Sequence, residues 1–297
     1  MSTDDYFAGS LPPAAATQPT AHAPVGRIGF FESIRAGFQL LPTCWSVLAG
    51  EPALLLVPLV VLIVSMALLL GYAELLGGLG QVVTGNKYST AVRVFPIAAL
   101  CSAVASIGQA VIVSAATDRL QGKPSSLSAA WVTTLGQLPR LVLFGIVLAS
   151  ERTVTSLLRG KRWSPLTVAA NVIDRAWDFA TFLVIPVILF EDVPVFAAVK
   201  RSGKLVASRW GTQLTARSVL SVALFVASLP LLVIGVLLCT VSPALGIGVL
   251  VLVVLAIIVV SAALTGVLSA AMYRFAVTGL VVPGFTDADM WAAFSRR

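Results

Sequence analysis

Long apolar runs alternate along the chain with short polar connections, and the lengths of the runs set the architecture. Runs at about 53–73, 95–117, 137–158, 167–190, 214–239 and 244–270 each approach or exceed the ~20 residues that a helix needs to cross a ~30 Å hydrocarbon core. Apolar and polar positions do not alternate with the period of two that a membrane-spanning strand requires, which excludes a β-barrel. The pattern predicts an all-α, polytopic helical membrane bundle of six transmembrane helices. The last run continues as LTGVLSAAMYRFAVTG without a breaker until Gly279. At 1.5 Å per residue it outruns the bilayer, so its end is expected to stand in the interface.

The connections give the orientation. With the N-terminus inside, the inner segments carry Arg27, Arg35, Arg119, Lys123, Arg140, Lys200, Arg201, Lys204, Arg209, Arg217, Arg274, Arg296 and Arg297, against Lys87, Arg93, Arg159, Lys161 and Arg162 outside. This bias of thirteen to five places a multi-pass protein in the plasma membrane with both termini cytoplasmic. The cluster RGKR at 159–162 runs against the bias.

Two connections resemble each other. FFESIRAGFQLLPTCW precedes the first run and FAAVKRSGKLVASRW the fifth; aligned on Phe31 and Phe196, both reach a tryptophan, Trp45 and Trp210. In the second, Phe196, Val199, Val206 and Trp210 share one helical face, while Lys200, Arg201, Lys204 and Arg209 supply the charge. That spacing predicts an amphipathic helix on the inner surface, its basic residues towards anionic lipid headgroups. The ends of the second and sixth runs also match, at Ser114-Ala-Ala-x-x-Arg119 and Ser269-Ala-Ala-x-x-Arg274. With SSLSAAWVTTLGQLPR before the third run, the chain divides into three units, each an interfacial helix followed by a transmembrane hairpin.

Composition narrows the chemistry. Of the 297 residues 58% are hydrophobic and 11% charged, far from the ~25% charge of soluble domains. The formal charge of +7 sits beside the apolar runs, which marks topology rather than nucleic-acid binding. Cys44, Cys101 and Cys239 form no CxxC pair, and the single histidine, His22, lies in a Pro/Ala-rich segment. No catalytic set, cofactor motif or metal-ligand cluster is expected. Residues 1–26 hold no apolar segment and read as a disordered cytoplasmic tail, 27–285 as the membrane domain, and 286–297 as a short cytoplasmic tail.

The run FEDVPVFAAVKRSGKLVASRWGTQL carries a resemblance to an uncharacterised family of six-span bacterial and archaeal integral membrane proteins. In that family an acidic residue closes span four, and an A-x-x-R-S-x-x-L helix and a Trp-Gly follow. The ending AMYRFAVTGLVVPGF resembles the family's C-terminal helix. More distantly, the layout is similar to the membrane domain attached to some glycerophosphodiester phosphodiesterases. The resemblance implies the fold and no activity.

One polar locus lies inside the bundle. Glu151 and Arg152 fall within span three, and Asp174, Arg175 and Asp178 within span four, at nearly equal offsets from the turn around Trp163. In an antiparallel hairpin equal offsets mean equal depth, so Glu151 is expected near Arg175, and Arg152 near Asp174 or Asp178. Pairing removes much of the ~2.5–3.5 kcal/mol that one charge costs at a helix centre. Gln109, with Ser102 and Ser106, adds a polar stripe on span two. The outer half of this hairpin either lines a water-filled vestibule or projects beyond the headgroups. The leading reading is a non-enzymatic structural or accessory protein of the cell envelope, with a membrane-protein partner or as a homo-oligomer. The alternative is a small-solute or lipid-handling transporter that uses the charged locus.

Overall fold

The computed structural model describes residues 45, 48–82, 85–123, 126–159, 165–210 and 216–278, with the side chains of 165, 208–210 and 216–227 outside the description. The two tails at 1–26 and 286–297 lie outside the described residues, as does the first surface segment up to residue 44. The described residues form ten helices and no strand: α1 (Ala53–Leu75), α2 (Leu79–Val82), α3 (Lys87–Leu120), α4 (Leu127–Gly136), α5 (Leu138–Leu158), α6 (Pro165–Thr181), α7 (Val184–Glu191), α8 (Val195–Trp210), α9 (Ala216–Val241) and α10 (Pro243–Thr278).

Among the described residues α1, α3, α5 and α10 are long and apolar enough to cross a membrane. The segment 166–191 joins them only together with Val195–Ala207, across a bend of 118°, which makes five. The fifth run of the sequence is helical in α9, but its described apolar part, Ser228–Val241, is shorter than a span. The helical class and the membrane-type helices therefore stand as the sequence predicts.

Helix α3 is the centre of the bundle and packs against α1, α4, α5, α7 and α10. Its Asn86 cap accepts the Ser89 N–H at 2.9 Å, which satisfies one orphan donor of the first turn. The core lies where Ala110–Ala116 of α3 meets Ala263–Ala276 of α10; its many alanines and Gly266 let the backbones approach, and leucine and valine fill the space between. A Cβ on Gly266 would stand 2.5 Å from Ile112 Cγ2. One on Gly145 of α5 would stand 2.4 Å from Ala103 Cα of α3. Large apolar side chains face outward on α1 (Leu56, Val60, Ile63) and on the first half of α10 (Leu245, Leu252), as in a wall against lipid.

The predicted fourth span is broken at Phe182–Leu183, and proline chemistry explains the break. Pro186 has no N–H for the Phe182 carbonyl four residues back, and Ser269 Oγ of α10 donates to that carbonyl instead, at 3.3 Å. The freed Leu183 N–H donates to Ser202 Oγ of α8 at 3.0 Å. Both orphaned groups are thus satisfied by hydroxyls from neighbouring helices, as buried backbone requires.

Candidate functional site

The charged hairpin is built by α5 and α6, which pack against each other. Its described ion pair joins Arg159 Nη2, just past α5, to Asp174 of α6. Lys87 of α3 donates to the carbonyls of Leu157 and, at 2.6 Å, Arg159, capping the end of α5 as basic side chains do at helix C-termini. Asp174 therefore takes Arg159 where the sequence offers it Arg152. Arg152 and Arg175 are exposed and enter no ion pair among the described residues.

Glu151 lies one helical turn before the buried Thr155. The charges that reach it are those of Arg152, Asp178 and Arg159, and Arg175 is not among them. Its Oε1 is shielded from solvent and has no hydrogen-bond partner among the described residues, and the same holds for Trp177 Nε1 on α6. Asp178 thus stands towards Glu151 as a second carboxylate rather than as a counter-charge. Gln109 is committed elsewhere: its Nε2 donates to the Ala262 carbonyl of α10 at 3.0 Å, and Ser106 Oγ donates to Ser102 O at 2.8 Å. The stripe on α3 serves packing between helices and does not join the hairpin.

A second polar constellation gathers around the α7–α8 turn, and composition gave no hint of it. Asp192 holds a left-handed backbone conformation, φ 52° and ψ 34°, uncommon outside glycine. Its carboxylate accepts from Arg140 and, at 2.9 Å, from Gln137 Nε2, both at the start of α5. The Arg140 hydrogen bond, then that of Gln137, holds the Asp192 carboxyl below the usual carboxylate range. Glu191 accepts from Arg201 Nε at 3.0 and 3.2 Å and from the Tyr273 hydroxyl of α10 at 3.3 Å. Tyr273 in turn stacks on Phe190, ring centroids 5.7 Å apart. Two consecutive acidic residues therefore tie the turn to three helices, α5, α8 and α10. The A-x-x-R-S-x-x-L run pointed here, since Ala198, Ser202 and Leu205 are all buried and Arg201 holds Glu191.

The face of α8 differs from the expected one. Val195, Ala198, Ser202, Leu205 and Val206 are buried, Val199 is half-buried, and Phe196 is 70% exposed. Lys200 and Lys204 are exposed, as predicted; the side chain of Arg209 lies outside the described residues. At the matched helix exits, Arg119 Nη2 donates to the Gly50 carbonyl at 3.0 Å and Arg274 Nη1 to that of Leu120, the last residue of α3. Arg119 thus reaches the segment just before α1, and Arg274 the C-terminal end of α3. Among the described residues no cluster of His, Cys, Asp and Glu could hold a metal ion.

Fold and site together define an all-helical protein with membrane-type helices. A family model described as "Family of unknown function (DUF6159)" matches residues 89–283, more than half of the chain, and the protein belongs to that family. No curated protein and no solved structure matches it. The likeness to the phosphodiesterase membrane domain thus rests on the sequence pattern alone.

Proposed function

We propose that this is a non-enzymatic integral protein of the plasma membrane, a structural or accessory component of the cell envelope, with six spans and both termini in the cytoplasm. The carrying observation is that its polar side chains are spent on joining helices. Gln109 holds α10, Ser202 and Ser269 serve the broken fourth span, and Asp192 and Glu191 hold α5, α8 and α10. In this reading α8 lies in the plane of the inner surface. Its 118° bend supports that placement, since a span tilted by the usual ~20° leaves a helix bent this far close to the membrane plane.

The distribution around α8 supports it too. The buried residues face the bundle; Phe196 and Val199 flank them on one side, and Arg201 and Lys204 lie on the other. A helix lying against a bundle at a membrane surface needs those three sectors: protein, lipid and headgroup.

A transporter that uses the charged hairpin is the second reading, favoured by Glu151, whose shielded Oε1 has no partner among the described residues and which feels the charge of Asp178. Reconstitution separates the two. A structural protein gives proteoliposomes without solute uptake, and cross-linking in native membranes joins it to itself or to a membrane partner in fixed ratio. Uptake that Glu151→Gln abolishes would overturn the structural reading in favour of transport.

A further inference from the structure

The Arg201 guanidinium is anchored on one edge and open on the other. Its Nε donates to both oxygens of Glu191, at 3.0 and 3.2 Å, and its Nη groups make no hydrogen bond among the described residues. Glu191 is itself 12% exposed and fixed by the Tyr273 hydroxyl, so the anchor is rigid, while the arginine side chain is 47% exposed. An arginine held by its Nε presents its outer N–H groups as a preset fork for two oxygens of a phosphate. Lys204, exposed, lies three residues on and therefore on the same side of the helix, at the ~5–6 Å spacing of helix neighbours. Ala197, also exposed, precedes Arg201 by one turn and leaves room beside the fork. Neither nearby carboxylate competes for an anion's place, because Glu191 is occupied by Arg201 and Tyr273, and Asp192 by Arg140 and Gln137.

We propose that Arg201 and Lys204 form a binding site for the phosphodiester group of an anionic lipid of the inner leaflet, with Lys200 adding charge at its rim. This rests on the reading of α8 as an in-plane helix and adds a defined site to it. The lipid, rather than free phosphate, fits because Phe196 is exposed on the opposite flank of the same helix, and an apolar ring on one flank with cations on the other sets the Arg201–Lys204 side at headgroup level. Glu191 is a positioning residue: it orients the fork without touching the lipid.

The test uses the full chain in nanodiscs of mixed phosphatidylcholine and phosphatidylglycerol. Native mass spectrometry reads the enrichment of phosphatidylglycerol retained by the released protein. Arg201→Gln and Lys204→Gln are each expected to lower the enrichment about fivefold, the value of one lost hydrogen-bonded contact to the phosphodiester. Lys123→Gln, an equal charge change elsewhere, should leave it unaltered. Because Lys204 makes no described protein contact, its variant reports on the site even if Arg201→Gln disturbs the fold. Unchanged enrichment in Lys204→Gln, an equal loss in Lys123→Gln, or displacement of the lipid by millimolar inorganic phosphate would each overturn the site. Nitroxide labels at 196 and 204 test the underlying placement separately. Position 196 must lie deeper, and if it does while enrichment ignores Arg201 and Lys204, only the lipid site falls.

Discussion

Gly145 of α5 crosses α3 directly over the backbone of Ala103, where a Cβ would stand 2.4 Å from both Cα and N. The obstruction is main chain, which cannot rotate away. Gly145→Ala is therefore expected to force the helices apart and to cost about 1–3 kcal/mol, and Ala103→Gly should not rescue it. Gly248→Ala on α10 meets nothing within 4 Å and should be neutral or slightly stabilising. Unfolding in mixed micelles compares the three. Equal stability of the Gly145 and Gly248 variants would contradict the crossing.

Gln109 reaches from α3 to the Ala262 carbonyl. Interhelical hydrogen bonds in membranes average only about 0.6 kcal/mol, so Gln109→Leu is expected to cost less than about 1 kcal/mol. If Gln109 lined a solute path, the same change would abolish uptake with stability intact. Measuring both quantities on one variant separates the roles.

How much of this was legible in the sequence depends on what periodicity can carry. Run length found α1, α3, α5 and α10, and the spacing of apolar and basic residues from Phe196 onward marked α8. Rotational phase was not legible. Equal offsets from Trp163 set Arg152 level with Asp174, yet Arg159, only four residues before Trp163, takes Asp174, eleven after it. The α6 charges stand nearer the end of α5 than a symmetric hairpin puts them. On α8 the apolar count grouped Phe196 with Val206, but the buried face includes Ser202, a hydroxyl that no hydrophobicity pattern counts as core. Its task there comes from Pro186 upstream, and sequence spacing alone does not show which neighbour supplies the missing partner.

Asp192 makes the turn before α8 sensitive to acid. Hydrogen bonds from Arg140 and Gln137 depress its carboxyl, so the folded value lies below the unfolded ~3.9. A depressed carboxyl contributes stability that is in full force above the unfolded value and fades as pH falls through the folded one. The protection factors of the α8 amides, that is, exchange corrected for its intrinsic base-catalysed rate, should therefore be flat from about pH 5 to 8 and fall only under strongly acidic conditions. Asp192→Asn, which tolerates the left-handed backbone, should keep the turn but lose this acid step; Asp192→Ala should open it at every pH. An unchanged acid step in the asparagine variant would assign the titration to another group.

The Lys/Arg bias of thirteen to five predicts both termini in the cytoplasm. Cysteines introduced at Ser10 and Ser295 are expected to resist an impermeant maleimide in intact cells and to react after permeabilisation. Reaction of only one of them in intact cells would require an odd number of spans, with the bent segment 166–191 and α9 as the two candidates for not crossing.

Glu151 decides between the two functional readings. Had it been paired with Arg175, its loss would strand a buried arginine and cost about 3–5 kcal/mol. In the structure Arg175 is exposed and Glu151 keeps an oxygen unpartnered among the described residues, within reach of the Asp178 charge. Removing the carboxylate relieves a desolvated group and the repulsion from Asp178 but forfeits the attraction of Arg152 and Arg159, so Glu151→Gln and Glu151→Leu are both expected to assemble with stability within about 1 kcal/mol of the parent. Asp174→Ala, which breaks the partly exposed pair with Arg159, should cost no more than about 1 kcal/mol. An unpaired carboxylate that is dispensable for stability is retained for something else or for nothing. A growth defect in Glu151→Gln cells at normal protein level assigns Glu151 a working role and favours transport. Normal growth leaves the hairpin as packing, and a loss of several kcal/mol on Glu151→Gln would show that the carboxylate has a partner after all.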